Sequence, residues 1–356
     1  MFELILSVCI LGDPAQCMER RVPTAQPMGA MACMRWGQSL ARQWLREHPD
    51  LTLETWTCAN PERIAADDPA ARDFTVEEVA PGVFVHVGAI ATPDPQNAGD
   101  VANIGFVIGE EAVAVIDTGG SRTVGEALLR EIRARTALPI RWVILTHMHP
   151  DHVLGAGVFV EAGATVIGHA KLERALSARA DTYIANNRRL IGERAWAGTK
   201  IVTPDEGVAD RAELDLGGRT LVLEAHPTAH TDNDLTVLDD ATGTWWVGDL
   251  VFHTHTPALD GSILGWISLL EEMKTREVAR IVPGHGPASL PWPEGAEPVG
   301  AYLLGLASEV RTAIARGETM GEAMRHVGED MAGDWALFEE FHKRNVSAAF
   351  RELEWE

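Results

Sequence analysis

Four metal-competent side chains fall within six residues at the end of an apolar run. The stretch Arg141-Trp-Val-Ile-Leu145 leads straight into Thr146-His147-Met148-His149-Pro150-Asp151-His152. Imidazole and carboxylate are nitrogen and oxygen donors that suit zinc, and also iron or manganese. A buried strand is a rigid mount, and the loop at its end is where side chains from separate segments converge. A solvated histidine-rich turn is the plain alternative, but such a turn has no need of an apolar strand directly before it. The run therefore calls for a fold in which several strand ends meet at one place.

The same arrangement recurs further along. His226-Pro-Thr-Ala-His230-Thr-Asp-Asn-Asp234 follows the strand-like residues 220–225, Asp249 follows 244–248, and Pro283-Gly284-His285-Gly286 follows 280–282. Each places a ligand-type residue just past a short apolar strand, so groups distant in sequence can become neighbours in space.

The chain is 356 residues and 46% apolar, enough for one large or two modest domains with an ample core. Its 30 Lys+Arg against 52 Asp+Glu give a net charge of −22, and no basic cluster exceeds a pair or so. Nucleic-acid affinity rests on a basic footprint, so polyanions are poor partners and a small-molecule substrate is expected. The apolar run 1–11 contains Glu3, lacks a basic leader and is about half the length of a membrane span, so neither a span nor a normal signal peptide is expected. Cys9, Cys17, Cys33 and Cys58 all lie in the first 58 residues. Their clustering reads as a two-disulfide module with three pairings open, and with no CxxC pair a Cys-only zinc knuckle is disfavoured. Disulfides would place the protein in the periplasm, and free thiols in the cytoplasm.

Residues 2–11 and 51–57 read as strands and 28–47 as a helix, a β-α-β module over 1–68, with a polar, Pro-bearing boundary at 59–69. From 74 onward short strands (82–87, 104–108, 112–116, 140–145) interleave with helices such as 123–135, predicting a layered α/β domain over 74–356. Beyond 298 the pattern turns helical (302–316, 320–327, 335–352), a cover on that domain.

Asp117 in Ile-Asp-Thr-Gly, the His147-x-His149-x-Asp151-His152 run, His230, Asp249 in Gly-Asp-Leu and His285 in Pro-Gly-His-Gly together resemble the metallo-β-lactamase superfamily over about residues 75–290. His-Thr-Asp-Asn-Asp-Leu, Leu-Asp-Gly-Ser with Gly-Trp, and the Cys-bearing module look, more narrowly, like the quinoprotein relay system zinc metallohydrolases. The resemblance implies a four-layer αββα sandwich with two zinc ions at one edge of its sheets. His147, His149 and His230 would hold one ion, Asp151, His152 and His285 the other, and Asp249 would bridge them. That bridging Asp is a glyoxalase II-like feature absent from true β-lactamases. Asp117 would orient a ligand from behind.

Bound zinc brings the pKa of water from about 15.7 towards about 7, and a pair of metals can share the hydroxide between them. The implied activity is cleavage of a small ester, thioester or lactone- or lactam-like bond, with Asp151 or a metal-bound water moving the proton. Alternatives are a one-iron sulfur dioxygenase type, an accessory factor docking on a quinoprotein, and weak β-lactamase activity. Asp232 and Asp234 are candidate acceptors behind the histidines. His226, His253, His255, Asp260 and Ser262 are candidate outer or substrate contacts, each with an ordinary turn or loop reading beside it. Arg188 and Arg189 could meet an anionic substrate or simply face solvent. His48, His86, His169, His326 and His342 have no motif partner and read as structural or solvated. One of Trp245 and Trp246 should face the core and the other the opposite side.

Overall fold

The computed structural model describes residues 2–25, 28–59 and 74–356, so the expected boundary at 59–69 lies almost entirely outside the described residues. The chain opens with β1 (Glu3–Ile10), β2 (Asp13–Val22), α1 (Ala30–Glu47) and β3 (Leu51–Ala59). The strands form an antiparallel sheet ordered β2-β1-β3, and α1 packs Cys33, Ala41 and Trp44 against its Leu4, Leu6 and Val8. The expected β-α-β order is thus corrected to β-β-α-β. Glu19, Arg20 and Arg21 deprive β2 of an apolar rhythm, yet both arginines are buried. Arg20 donates to the carbonyls of Ala197 (3.2 Å) and Arg194 (2.9 Å), and Arg21 pairs with Glu3. Cys9–Cys17 joins β1 to β2 and Cys33–Cys58 ties α1 to β3, which settles the pairing.

The rest of the chain runs β4 (Glu77–Ala80), β5 (Val83–His86), β6 (Ile104–Ile108), β7 (Val113–Ile116), α2 (Arg122–Arg135), β8 (Ile140–Leu145), α3 (Pro150–Val153), α4 (Ala156–Glu161), β9 (Thr165–His169) and α5 (Leu172–Trp196). It continues with β10 (Glu206–Val208), β11 (Arg211–Asp215), β12 (Thr220–Ala225), β13 (Leu235–Asp239), β14 (Thr244–Phe252), α6 (Ile263–Met273), β15 (Arg280–His285), α7 (Glu297–Ala315), α8 (Met320–Ala323) and α9 (Phe338–Leu353). The strands make a seven-stranded sheet ordered β10-β9-β8-β7-β6-β5-β4 and a five-stranded sheet ordered β11-β12-β13-β14-β15.

Val85, Ile116, Ile144, Leu223, Val237 and Trp246 fill the space between the sheets. Leu128 and Ile132 of α2, Phe159 of α4 and Leu176 of α5 cover the outer face of the first sheet. Trp266 of α6, Leu303 and Leu306 of α7 and Val346 and Phe350 of α9 cover the second. The result is the αββα sandwich, each large buried side chain contributing about 1.5–3 kcal/mol of hydrophobic stabilisation. Strand alternation puts Trp245 under the helices and Trp246 between the sheets, so both are packing residues. Helix α5 runs unbroken from Leu172 to Trp196 except at Gly192, whose φ is 80°. The expected helix 320–327 is a single turn, α8, capped by Thr319 and Glu322. Among the described residues no helix is long and apolar enough to cross a membrane.

Candidate metal centre

Five segments end at one edge of the two sheets. Asp117 follows β7, residues 146–152 carry the chain from β8 into α3, His230 lies in the β12–β13 connection, Asp249 sits inside β14 and His285 closes β15. Asp249 reaches the edge because the β14–β15 register shifts around Gly248, whose φ is 51°. Gly284 on the neighbouring strand leaves the space its carboxylate occupies, since a Cβ there would stand 1.9 Å from Asp249 Oδ1.

Two sets of donors result: His147, His149, His230 and Asp249, and Asp151, His152 and His285, the donor atoms within each set lying within 4.8 Å of one another. Asp249 touches both. Its Oδ2 is 3.5 Å from His147 Nε2, 3.4 Å from His230 Nε2 and 3.5 Å from His285 Nε2, and its Oδ1 is 3.1 Å from His152 Nε2. Asp151 Oδ2 lies 3.4 Å from His285 Nε2 and 3.8 Å from His152 Nε2. His149 turns Nδ1 inward, 3.0 Å from His230 Nε2. His147 Nε2, His152 Nε2 and Asp249 Oδ1 are buried without a hydrogen-bond partner. Buried polar atoms are normally satisfied, so three orphans converging in one cluster fit a cation-holding site.

The outward ring atoms are held. His152 Nδ1 donates to Asp117 Oδ2 (2.7 Å), which also accepts from the Thr146 hydroxyl (2.7 Å), while Asp117 Oδ1 accepts from the Thr146 amide (2.8 Å). His147 Nδ1 lies 3.0 Å from that hydroxyl. His230 Nδ1 donates to the Ala258 carbonyl (2.6 Å) and His285 Nδ1 to the Val101 carbonyl (2.8 Å). Such contacts fix ring orientation and leave the opposite nitrogen facing the cation. The donors open into a cavity of about 460 Å³ that includes His149, Asp151, Asp249, Asp260 and His285, with Phe252, His255, Leu259 and several α9 residues on its walls.

The profile of the metallo-beta-lactamase superfamily matches residues 97–285, more than half of the chain and spanning every donor. The chain belongs to this superfamily. A metallo-beta-lactamase from Pontibacter korlensis is similar in structure, with a TM-score of 0.53 and 20% identity, covering 65% of this chain and 99% of that one. Metallo-beta-lactamase IND-7 is similar too, with a TM-score of 0.52 and 18% identity over the same shares. At such identities the likeness is one of fold. A linear primary-alkylsulfatase from Pseudomonas sp. (strain ATCC 19151) is 32% identical over 62 residues, which is 17% of this chain and only 12% of that protein's length. Superfamily membership and the His/Asp cluster support a metal-dependent hydrolase.

Within this superfamily site, electrostatics divides the histidines. Burial, with His152 beside it, pushes His147 well below the ordinary histidine range, and burial takes His230 down to about 3. Both are neutral at ordinary pH, as nitrogen donors to a cation would need to be. Burial pushes the Asp249 carboxyl up, but His152, His285 and His147 more than offset that and hold it well below the usual carboxylate range. It is anionic wherever the protein is folded near neutrality.

The lesser candidates divide as well. Asp117 lies in the site behind His152. His255 lines the cavity with its ring 4.7 Å from that of His285, and Asp260 lines it with Oδ2 3.4 Å from His149 Nε2. His226 is corrected: its Nε2 bonds to Thr236 Oγ1 at 2.8 Å, away from the cavity lining. His253 bonds to the Thr254 hydroxyl and is also absent from the lining. Ser262 is corrected to an N-cap, accepting from the Gly265 amide (2.9 Å) and donating to Glu352 (2.6 Å). Asp234 accepts from the Thr231 amide and hydroxyl and braces the His230 loop, whereas Asp232 pairs with Arg174, so neither touches a ligand ring. Arg188 pairs with Glu193 and, like Arg189, does not line the cavity. His48, His86 and His342 are buried and bonded, and His326 pairs at the surface with Glu318.

Residues missed from sequence are the Val101 and Ala258 carbonyls, Thr146, and the α9 wall. Main-chain acceptors carry no residue-type signal. The α9 wall carries one: Phe341, Arg344, Asn345, Ala348 and Arg351 recur at helical spacing. Asn345 also ties α9 to the ligand loop. Its Oδ1 accepts from the Leu259 amide (3.0 Å) and its Nδ2 donates to the Pro257 carbonyl (2.6 Å), on either side of the Ala258 that holds His230.

Proposed function

We propose that this chain is a binuclear zinc hydrolase that cleaves a small ester, thioester or lactone- or lactam-like bond. The observation that carries the reading is the position of Asp249, one carboxylate within 3.5 Å of histidines from both donor sets. The three nitrogens of the first set and the Asp-His-His of the second are donor types that suit zinc. Bound zinc would supply a Lewis acid and water acidified into the neutral range.

The residues do the rest. Asp117, Ala258 and Val101 orient three of the rings, so the donors do not have to reorganise. Phe252 and Leu259 line the cavity beside the donors and limit water to the polar side. Asp151 lines the cavity, and with Oδ2 turned to the second donor set its other carboxylate oxygen would take the proton from the attacking water and pass it to the leaving group.

The test is elemental analysis of protein purified without added metal, with His149→Ala as control, and turnover on a panel of esters, thioesters and nitrocefin. Two zinc atoms per chain, reduced in the variant, with ester turnover support the reading. One iron per chain with no ester turnover would replace it with the oxygenase alternative, and unchanged metal in the variant would remove His149 from the ligand set.

A second substrate class has its own support. The segment similar to the linear primary-alkylsulfatase makes sulfate esters part of the panel, read by release of inorganic sulfate. We also infer an oxidising compartment, the periplasm, from the two disulfides. The quinoprotein relay placement rests on the sequence phrases and the N-terminal module, and pull-down with a quinoprotein dehydrogenase tests it.

A further inference from the structure

One wall of the cavity differs from the others. Phe341, Arg344, Asn345, Ala348 and Arg351 of α9 line it, at spacings of three, four, seven and ten residues that put them on a single helix face. Arg344 and Arg351 lie two turns apart, about 10.5 Å along the axis. Asn345 between them is committed to Pro257 and Leu259. The two arginines are exposed, and neither takes part in any described hydrogen bond or ion pair.

Other exposed arginines also stand outside the described ion pairs, Arg42, Arg46, Arg189 and Arg194 among them, while Arg174 pairs with Asp232, Arg188 with Glu193 and Arg311 with Glu356; what sets Arg344 and Arg351 apart is that they line the cavity. An acidic protein repels anions at a distance, and two unpartnered guanidinium groups put positive charge on one wall of a cavity whose other fixed charges, Asp151, Asp249 and Asp260, are acidic. Guanidinium presents a fork of donors matched to a carboxylate. Phe252, Ala258 and Leu259 also line the cavity, a surface suited to an aliphatic chain.

We propose that Arg344 and Arg351 form a subsite that selects substrates carrying a carboxylate at the end remote from the bond that is cut, with an apolar chain between. The proposal rests on the hydrolytic reading above for its reaction but not for its binding.

The test uses the full-length protein and paired probes: mono-4-nitrophenyl esters of glutaric and suberic acids, and the neutral esters of pentanoic and octanoic acids. The wild type should show a lower KM for the acidic ester of each pair. Arg344→Ala with Arg351→Ala should raise that KM by about tenfold per arginine, leave kcat within about twofold and leave the neutral esters unchanged. Arg344→Lys with Arg351→Lys should restore part of the loss. Equal KM within each pair, or equal losses on both, overturns the subsite.

Both side chains are exposed, so the variants should fold, which circular dichroism checks. Calorimetric titration with suberate gives a readout independent of turnover. Weaker suberate binding in the alanine variant supports the subsite even if no ester is cleaved, in which case only the hydrolytic reading falls. Equal binding, or none, overturns the subsite.

Discussion

The absent side chain of Gly284 and the carboxylate of Asp249 claim the same space: a Cβ on Gly284 would stand 1.9 Å from Asp249 Oδ1 and 2.9 Å from the Asp249 amide. Gly284→Ala should therefore push Asp249 off the line joining the donor sets. Metal content should fall below that of the wild type and hydrolysis by about a hundredfold, with the secondary structure intact. Mass-spectrometric metal analysis beside an ester assay reads both, and a fully loaded, active variant would show that the strand end yields more easily than its packing implies.

Asp117 Oδ2 accepts from two donors, His152 Nδ1 and the Thr146 hydroxyl. In Asp117→Asn an amide nitrogen must face donors or give up the Thr146 amide. The His152 ring then loses its tether, and metal affinity should drop by about ten- to a hundredfold. Competition with a chelator measures it, and an unchanged midpoint would assign the orientation of His152 to packing alone.

The buried contact between the N-terminal module and the main body supplies a pH prediction. Glu161 takes two hydrogen bonds from Arg122 (2.7 and 2.8 Å) and one from Trp44 Nε1 (2.8 Å). Burial pushes its carboxyl up, but His48 and the Arg122 guanidinium win and hold it at about 2, against an ordinary 4.5. A lowered folded pKa means stability that is present above 4.5 and lost as pH falls from 4.5 towards 2. Glu161→Gln should cost on the order of 3 kcal/mol at neutral pH and progressively less through that acid window. Urea unfolding of both proteins at neutral and acid pH tests this, and a gap that stays constant would place the effect in shape rather than charge.

Ser262 separates structure from substrate contact. Its hydroxyl caps α6 and bonds Glu352 of α9. Ser262→Ala should lower stability by about 1–2 kcal/mol and leave KM and kcat unchanged at temperatures where the variant is folded. A changed KM in a variant of normal stability would return Ser262 to the cavity.

The layered fold and the seven convergent donors were legible because each rests on a local pattern. Apolar strands lead into ligand-type residues at 147–152, 230 and 285, Asp249 falls within the apolar strand β14, and strands and helices interleave from residue 83 to 285. Illegible were features that exist only after packing. Strand β2 was hidden because Arg20 satisfies its charge on carbonyls far along the chain, those of Ala197 and Arg194, and Arg21 on Glu3 of the neighbouring strand. Ser262 stood in a motif phrase that named it without revealing that its hydroxyl faces a helix end. His226 likewise sat four residues from a ligand, yet its ring turns to Thr236. Sequence proximity to a metal donor says little about direction, because a single strand-to-loop transition reverses it.

Asn345 grips the peptide units flanking Ala258, and Ala258 steers the imidazole of His230. The last helix is therefore a splint for the chemistry, not an appendage. A stop codon within α9 ahead of that asparagine would loosen a candidate donor more than a hundred positions upstream.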